Sequence, residues 1–157
     1  MLVFHRTFAR LLTAGTFTLG VLLATSLPAS AGPNTAASGD EEEKVVYHIN
    51  DSANARPLFN NVRNHLSASP KTKIVVVGHG KGLDFMLKNA SDASGNPYII
   101  GIEMLTEKGV EFRACRNTLA SRNLKDDAVE DLVKVVPSGV AEIGRLQAKE
   151  GYVYLKP

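Results

Sequence analysis

The sequence predicts a three-layer α/β/α domain with a five-stranded, mostly parallel sheet over residues 44–157. Two observations predict this fold class. Short runs rich in Val, Ile and Tyr alternate with stretches of helical periodicity, and this repeated order favours parallel strands joined by crossover helices. One run, "KIVVVGHG" at residues 73–80, is the most continuous apolar stretch after residue 31, as expected for a central strand covered on both faces.

The sequence of the first half of the domain predicts two strands and three helices. "VVYHI" (45–49) is the first strand, and the helix over "NDSANARPLFNNVRNHLSAS" that follows has Asp51 or Ser52 as its N-cap. The second strand is the "KIVVVGHG" run. A short helix over "GLDFMLKNA" (82–90) and a turn at "ASGNP" then lead to a helix over "YIIGIEMLTEKG" (98–109), which ends at Gly109.

The second half predicts three more strands and two helices. "VEFRAC" (110–115) is the third strand, and a helix follows over "RNTLASRNLKDDAVEDL" (116–132). "KVVP" (134–137) is a short fourth strand. A helix over "SGVAEIGRLQAKEG" (138–151) ends at Gly151, and "YVYL" (152–155) is the fifth strand.

The N-terminal residues predict export. Residues 1–31 combine Arg6 and Arg10, an apolar core from Leu11 to Leu27 and the small-residue triplet 29–31, which is typical of a secretory signal peptide cleaved after Ala31. An uncleaved membrane anchor is the alternative. We expect a periplasmic or secreted chain without stable membrane insertion, in which residues 32–43, "GPNTAASGDEEE", form a flexible acidic linker.

The charge balance argues against a nucleic-acid partner. The whole chain has 18 Lys and Arg residues against 16 Asp and Glu residues. Because Arg6 and Arg10 belong to the predicted signal peptide, residues 32–157 have 16 of each and are formally neutral. Neither a net positive charge nor a basic stripe remains to bind phosphates.

Polar residues and glycines follow the ends of the first three predicted strands. Ligands of open parallel sheets bind at the carboxyl ends of the strands, so we expect these residues to share one rim. They are His48 and Asn50 on the first strand, Gly78, His79 and Gly80 on the second, and Cys115 on the third. The glycines of "GHGKG" either cradle an anion or merely turn the chain, and His79 is a ligand, an acid–base group or a structural histidine.

Cys115 is the single cysteine, so the chain forms no internal disulfide. Its position at a strand end and helix start favours the thiolate, and Arg113 and Arg116 add two nearby positive charges. The alternation of "VEFRAC" groups Cys115 with Glu111 and Arg113 on a polar face, which predicts partial exposure and a reactive thiol. The alternative is a buried cysteine that acts as a small apolar filler.

Four stretches of the domain resemble the DsrE/DsrF-like family. They are "KVVYHINDSA", "KIVVVGHGKGLDFML", "GVEFRACRNTL" and the closing "VVPSGVAEIGRLQAKEGYVYLKP". The resemblance implies a parallel five-stranded sheet between helical layers and a homo-oligomer. In sulfur-relay members it also implies a cysteine that carries sulfur as a persulfide, a role that falls here on Cys115.

Two functions follow as hypotheses. In the first, Cys115 is the catalytic persulfide acceptor of a sulfur carrier or sulfurtransferase, and it exchanges sulfur with a donor or acceptor protein without a cofactor. In the second, the same rim forms a non-enzymatic binding module for a small ligand or a soft metal, with Cys115, His79 and His48 as its polar groups. The first hypothesis makes the chain a sulfurtransferase or a sulfur carrier, and the second makes it a binding protein without catalysis.

Overall fold

The computed structural model describes residues 42–157, so the predicted signal peptide and most of the predicted linker lie outside the described residues. The described part contains one five-stranded sheet, and every pair of adjacent strands is parallel. In chain order the strands are β1 (Lys44–Asp51), β2 (Lys73–Lys81), β3 (Glu111–Cys115), β4 (Val133–Val136) and β5 (Val153–Leu155). Their order across the sheet is β4-β3-β2-β1-β5. The predicted fold class is confirmed.

The helices form two layers of unequal size. They are α1 (Ala55–Ala68), α2 (Ile99–Thr106), α3 (Arg116–Ser121) and α4 (Gly139–Glu150). Residues of α1, α2 and α3 share one large core with one face of the sheet, whereas α4 packs on the opposite face. That second core is small and consists of Val46, Val75, Val77, Ile143 and Leu146.

The prediction of a short helix over residues 82–90 is wrong for all but one turn. Only Asp84–Met86 are helical, in a 3-10 turn. The segment after it is held by backbone hydrogen bonds to a distant part of the chain, because Lys88 N–H donates to Ala128 O and Glu130 N–H donates to Met86 O. These long-range bonds replace the local bonds that a longer helix would have made.

The helix predicted over residues 116–132 is also too long. α3 ends at Ser121, and Asn123 adopts a left-handed conformation with a φ of 56°. Asn tolerates this conformation better than most residues, so it can end a helix as glycine does. A further 3-10 turn at Asp126–Ala128 then leads into the backbone bonds with residues 86–88.

β1 begins at Lys44, and two residues of the predicted linker before it contact the sheet. Glu43 O accepts a hydrogen bond from Lys73 N–H at 2.7 Å, and the Glu42 carboxylate pairs with Lys73 Nζ at 2.7 Å. The last two residues of the predicted linker therefore contact the start of β2. Within residues 42–157, no helix is both long and apolar enough to cross a membrane.

Candidate functional site

The carboxyl ends of β1, β2 and β3 form one rim of the sheet, as the sequence predicts. The register pairs His48 with Val77, and Gly78 with Ala114. One residue beyond that second pair, His79 and Cys115 follow on adjacent strands, which run about 4.8 Å apart. The sheet therefore brings the predicted rim residues together, although Cys115 follows His79 by 36 positions in the chain.

Gly139, the first residue of α4, lies against both of these residues. Ser138 caps the helix, since its hydroxyl accepts a hydrogen bond from Ala141 N–H. A Cβ atom added to Gly139 would lie 3.1 Å from Cys115 Cβ and 3.1 Å from His79 Cβ. The N-terminus of α4 can approach the rim this closely only because Gly139 has no side chain.

Cys115 is buried, and the predicted partial exposure is wrong. Only 5 % of its surface is accessible. The alternation placed it correctly on the face opposite Phe112 and Ala114, which lie in the large core. That face is nevertheless covered at this point, because Gly139 lies directly over Cys115 Cβ.

The surroundings of the sulfur favour the thiolate in spite of this burial. Burial is the largest single effect, and it raises the pKa of Cys115. Hydrogen bonds from the backbone of Gly139, from the Thr118 side chain and from the backbone of Thr118 and Asn117 act in the opposite direction. Together they lower the pKa below its ordinary value. These donors belong to the first turns of α3 and α4, so the sulfur lies between two helix starts.

Thr118 connects the sulfur to the glycine-rich turn, and sequence reasoning missed it. Gly80 N–H donates to Thr118 Oγ1 at 3.0 Å. Because the oxygen accepts that bond, its own hydrogen stays available for the sulfur, in line with its effect on the thiol pKa. The signal was a Thr three residues after Cys115, on the same first turn of a predicted helix, where side chains return toward the strand end.

Arg113 and Arg116 are engaged by carboxylates and do not act as the sequence analysis expected. Arg113 is buried and pairs with Glu111 at 2.7 Å and with Glu142. Arg116 pairs with Asp126 on the surface at 2.5 Å. Burial raises the pKa of Cys115, and the groups that lower it are backbone N–H groups and one hydroxyl, with neither guanidinium among them.

The glycines of "GHGKG" act in turning and packing, which supports the turn-only alternative. Gly80 has a φ of 56°, and its N–H is bound by Thr118. A Cβ on Gly82 would lie 2.3 Å from Ile49 O, and one on Gly78 would lie 2.9 Å from Gly82 O. Since Gly82 N–H also donates to His79 O, two of the amides that an anion would need are already occupied. Asn50 lies exposed at the same rim, with its backbone against Gly82.

His48 and His79 form a hydrogen-bonded pair that ends at a tyrosine. The two Nε2 atoms are 2.7 Å apart, and His48 Nδ1 lies 2.7 Å from Tyr154 Oη. The imidazole centroids are 4.7 Å apart with an interplanar angle of 20°. The two Nε2 atoms, at 2.7 Å, are closer together than the ring centroids, at 4.7 Å, so the nitrogen edges of the two rings point at each other. The rings therefore meet edge to edge. Tyr154 was missed since it belongs to the fifth strand, whose place beside β1 is not readable locally.

Burial and neighbouring positive charge oppose the cationic form of His48. The pKa of His48 is lowered by burial first, then by the charges of His79 and Lys156. A lowered pKa favours the neutral imidazole. Among residues 42–157, no group of three or more His, Cys, Asp or Glu side chains is arranged to hold a metal ion.

Comparison with known proteins identifies the family. The family model described as the DsrE/DsrF-like family matches residues 34–157. The chain belongs to the DsrE/DsrF-like family. This membership rests on nearly the whole domain and agrees with the resemblance carried by the four sequence stretches.

Two solved structures are similar to this DsrE/DsrF-like chain. The protein of unknown function MTH1491 from Methanobacterium thermoautotrophicum is 32 % identical, with a TM-score of 0.65, over 74 % of this chain and all of that one. The ychN protein from E. coli is 14 % identical, with a TM-score of 0.57 over the same shares, and so supports the fold alone. No match was found among curated proteins.

Proposed function

We propose that this protein is an exported sulfur carrier in which Cys115 accepts sulfane sulfur as a persulfide and passes it to a partner. The observation that supports the proposal is the set of donors around the sulfur. Backbone N–H groups and the Thr118 hydroxyl lower the pKa of a buried thiol. A cysteine used only as an apolar filler has no need of such donors, and burial alone would raise its pKa.

The chemistry is a pair of nucleophilic displacements. The Cys115 thiolate attacks the outer sulfur of a donor persulfide, R–S–SH. A new S–S bond forms at Cys115 while the donor's S–S bond breaks, and the donor leaves as a thiolate that takes up a proton. An acceptor thiolate then attacks the outer sulfur of Cys115–S–SH and regenerates the Cys115 thiolate. No net oxidation takes place, so no cofactor is needed.

The burial of Cys115 restricts the donor. With 5 % of the residue accessible, a bulky group reaches the sulfur only when the rim moves, and a single terminal sulfur atom needs the least movement. An unbranched terminal sulfur, on a small persulfide or on a cysteine side chain of a donor protein, is the smallest group that carries the chemistry. We therefore propose small persulfides or a protein persulfide as the donor class.

The location and assembly of the protein belong to the same proposal. The charged start, apolar core and small-residue triplet of residues 1–31 support export to the periplasm or beyond. Exposed apolar residues support a homo-oligomer, since Ile100 and Met104 on α2 are 53 % and 44 % accessible. In an oxidising compartment a lone thiol has no internal partner, and so it is free to form a mixed species with a donor.

Mass spectrometry tests the proposal. The chain from Gly32 to Pro157 is incubated with glutathione persulfide and measured with and without reductant. We expect a mass increase of one sulfur atom that reductant removes, and none in Cys115→Ser. Unmodified wild-type protein under the same conditions, with its fold intact by circular dichroism, would contradict the carrier function and favour the non-enzymatic binding module.

A further inference from the structure

We propose that Tyr154, His48 and His79 form a proton relay from solvent to the Cys115 site, in which His79 is the acid–base group of the sulfur transfer. This inference rests on the proposed function. His79 would act on the reacting sulfur atoms, whereas His48 and Tyr154 act through His79 and are positioning residues.

The relay is a continuous chain of short hydrogen bonds. It begins at Tyr154, which is 39 % accessible, and passes from Tyr154 Oη to His48 Nδ1 over 2.7 Å. It continues from His48 Nε2 to His79 Nε2 over another 2.7 Å. Both distances are at the short end for hydrogen bonds between such atoms. The chain therefore joins a solvent-exposed hydroxyl to a partly buried imidazole.

The inner end of the chain, His79, is on the strand next to that of Cys115. His79 follows Gly78, and Cys115 follows Ala114, the residue that pairs with Gly78 across β2 and β3. A Cβ atom built on Gly139 would lie 3.1 Å from the Cβ atoms of both residues, so both side chains leave the sheet on the face that α4 covers. Because Nε2 of His79 is bound to His48, Nδ1 is the nitrogen that remains to exchange a proton with a donor bound at Cys115.

The hydrogen-bond pattern allows two neutral states. If Tyr154 donates to His48 Nδ1, His48 donates from Nε2 and His79 carries its proton on Nδ1. If His48 donates to Tyr154, its Nε2 accepts from His79, and Nδ1 of His79 is a free acceptor. A concerted shift of protons along the chain interconverts the two states, so His79 alternates between acid and base.

The groups that face His48 favour its neutral form, which can pass a proton on, over the cationic form, which would hold it. His79 lies on one side, on β2, and Tyr154 and Lys156 lie on the other, at the C-terminus. Their effect, together with burial, is to lower the pKa of His48. A cationic His48 would donate at both nitrogens and would block the shift, so a neutral imidazole is the state that a relay needs.

The relay balances the proton of the transfer step. Cys115–S⁻ and R–S–SH give Cys115–S–SH and R–S⁻, and His79 donates its Nδ1 proton to R–S⁻ as the S–S bond breaks. His79 takes a proton from His48, His48 takes one from Tyr154, and water reprotonates the Tyr154 hydroxyl. In the reverse direction, the same path carries a proton out when Cys115 ionises.

The test compares two leaving groups. Wild type, His79→Ala, His48→Gln and Tyr154→Phe are reacted with glutathione disulfide, whose alkyl thiolate needs a proton, and with an aromatic disulfide, whose stable thiolate does not. We expect His79→Ala to lower the alkyl rate by roughly 10²-fold, the lower range for general acid catalysis, and the aromatic rate far less. His48→Gln keeps a hydrogen bond to His79 but cannot shift a proton between two ring nitrogens. It and Tyr154→Phe should therefore show the same selectivity with smaller losses.

The chain offers a matched control. His65 Nδ1 lies 3.0 Å from Tyr47 Oη, a second Tyr–His pair, which joins β1 to α1. His65→Gln should leave the ratio of the two rates unchanged. Added imidazole should restore the alkyl rate of His79→Ala, because it supplies the missing acid and base.

Equal losses with both disulfides, no loss at all, or a failure of imidazole to restore the alkyl rate would overturn the relay. Because disulfide exchange needs only the Cys115 thiolate, this result does not depend on persulfide transfer. Failure of wild type to take up sulfur from glutathione persulfide, with a normal dependence on the leaving group, would overturn the carrier function and leave the acid–base role of His79 standing.

Discussion

At the scale of single residues, the reactivity of Cys115 depends on hydrogen-bond donors that surround a buried sulfur. The thiolate needs these donors because burial removes the water that would otherwise solvate it. Three of the effects that lower the thiol pKa come from backbone N–H groups, which only a substitution by proline would remove, and the fourth is the Thr118 side chain. Thr118 is therefore the residue through which the pKa of Cys115 can be changed with the least disturbance.

We expect Thr118→Val to raise the pKa of Cys115, because valine has the shape of threonine without the hydroxyl. The thiolate forms only above the thiol pKa, so the pH profile of iodoacetamide alkylation should move to higher pH. Thr118→Ser keeps the hydroxyl and should keep the profile near that of wild type. Arg116→Gln removes a nearby charge that is paired with Asp126, and it should also leave the profile in place. A shift in Arg116→Gln as large as that in Thr118→Val would mean that the arginine, and not the hydroxyl, stabilises the thiolate.

At the scale of elements, α4 is the helix that closes the site, and two contacts fix it to the sheet. At its start, Gly139 packs between Cys115 and His79. In its first turn, Glu142 forms an ion pair with Arg113 of β3 and a second one with Arg145 of its own helix. The Glu142 Oε1 to Arg145 Nη2 distance is 2.8 Å. The pKa of Glu142 is lowered to about 2, first by the Arg145 hydrogen bond and next, against burial, by Arg113.

We expect Gly139→Ala to disturb the site more than the fold. The new methyl group would lie 3.1 Å from two Cβ atoms, closer than ordinary contacts, so α4 must move outward and its N–H groups must move away from the sulfur. Overpacking of this kind costs about 1–3 kcal/mol, partly offset by the better helix propensity of alanine. Alkylation of Cys115 at neutral pH should slow, and urea unfolding should show only this modest loss. Gly144→Ala, where no atom lies within 4 Å of the added Cβ, is the matched control and should not slow alkylation.

The Glu142 contacts predict a pH-dependent stability. Because folding lowers the pKa of Glu142 from 4.5 to about 2, the stabilisation is fully present above pH 4.5 and is lost as the pH falls through about 2. We expect Glu142→Gln to lower the free energy of unfolding at pH 7 by about 1.5–3 kcal/mol, the range for hydrogen bonds to charged groups. The difference from wild type should shrink between pH 4.5 and pH 2 in urea unfolding. A difference that stays constant across this range would show that the charge of Glu142 does not contribute.

The sequence predicted the strands better than the helices, for a physical reason. A strand of this sheet is an apolar run such as residues 73–80, visible within the run itself, and all five predicted strands are confirmed. The helices over residues 82–90 and 116–132 were overestimated because Lys88 and Glu130 form backbone bonds with each other's segments. The rim was predictable from the ends of parallel strands. Thr118, Gly139 and Tyr154 were not, because their roles depend on which elements cover the rim.

At the scale of the whole molecule, two apolar surfaces remain exposed on the described domain. One is a groove of about 240 Å³ between α1 and α2, with Ile100 and Met104 at its side and Arg56 and Arg63 at its edge. The other is the edge strand β5, where Val153 is 62 % accessible. The sheet edge also offers unpaired backbone groups, which makes it a second candidate for contact between copies.

We expect the chain from Gly32 to Pro157 to form a homo-oligomer through the α1–α2 groove, because this surface combines apolar side chains with a concave shape that a helix of a second copy can fill. Light scattering at micromolar concentration should give a mass that is a multiple of the monomer mass. Ile100→Glu together with Met104→Lys should reduce that mass, since removing two charges from water into an apolar interface opposes association even when they pair with each other. These two substitutions add no net charge, so a general repulsion between copies cannot explain the loss.

Val153→Glu on β5 is the contrasting variant and should leave the mass unchanged. If Val153→Glu alone dissociates the oligomer, the copies associate through the edge strand beside Tyr154, and a second copy then covers the solvent end of the histidine chain. A wild-type monomer mass would contradict the oligomer itself.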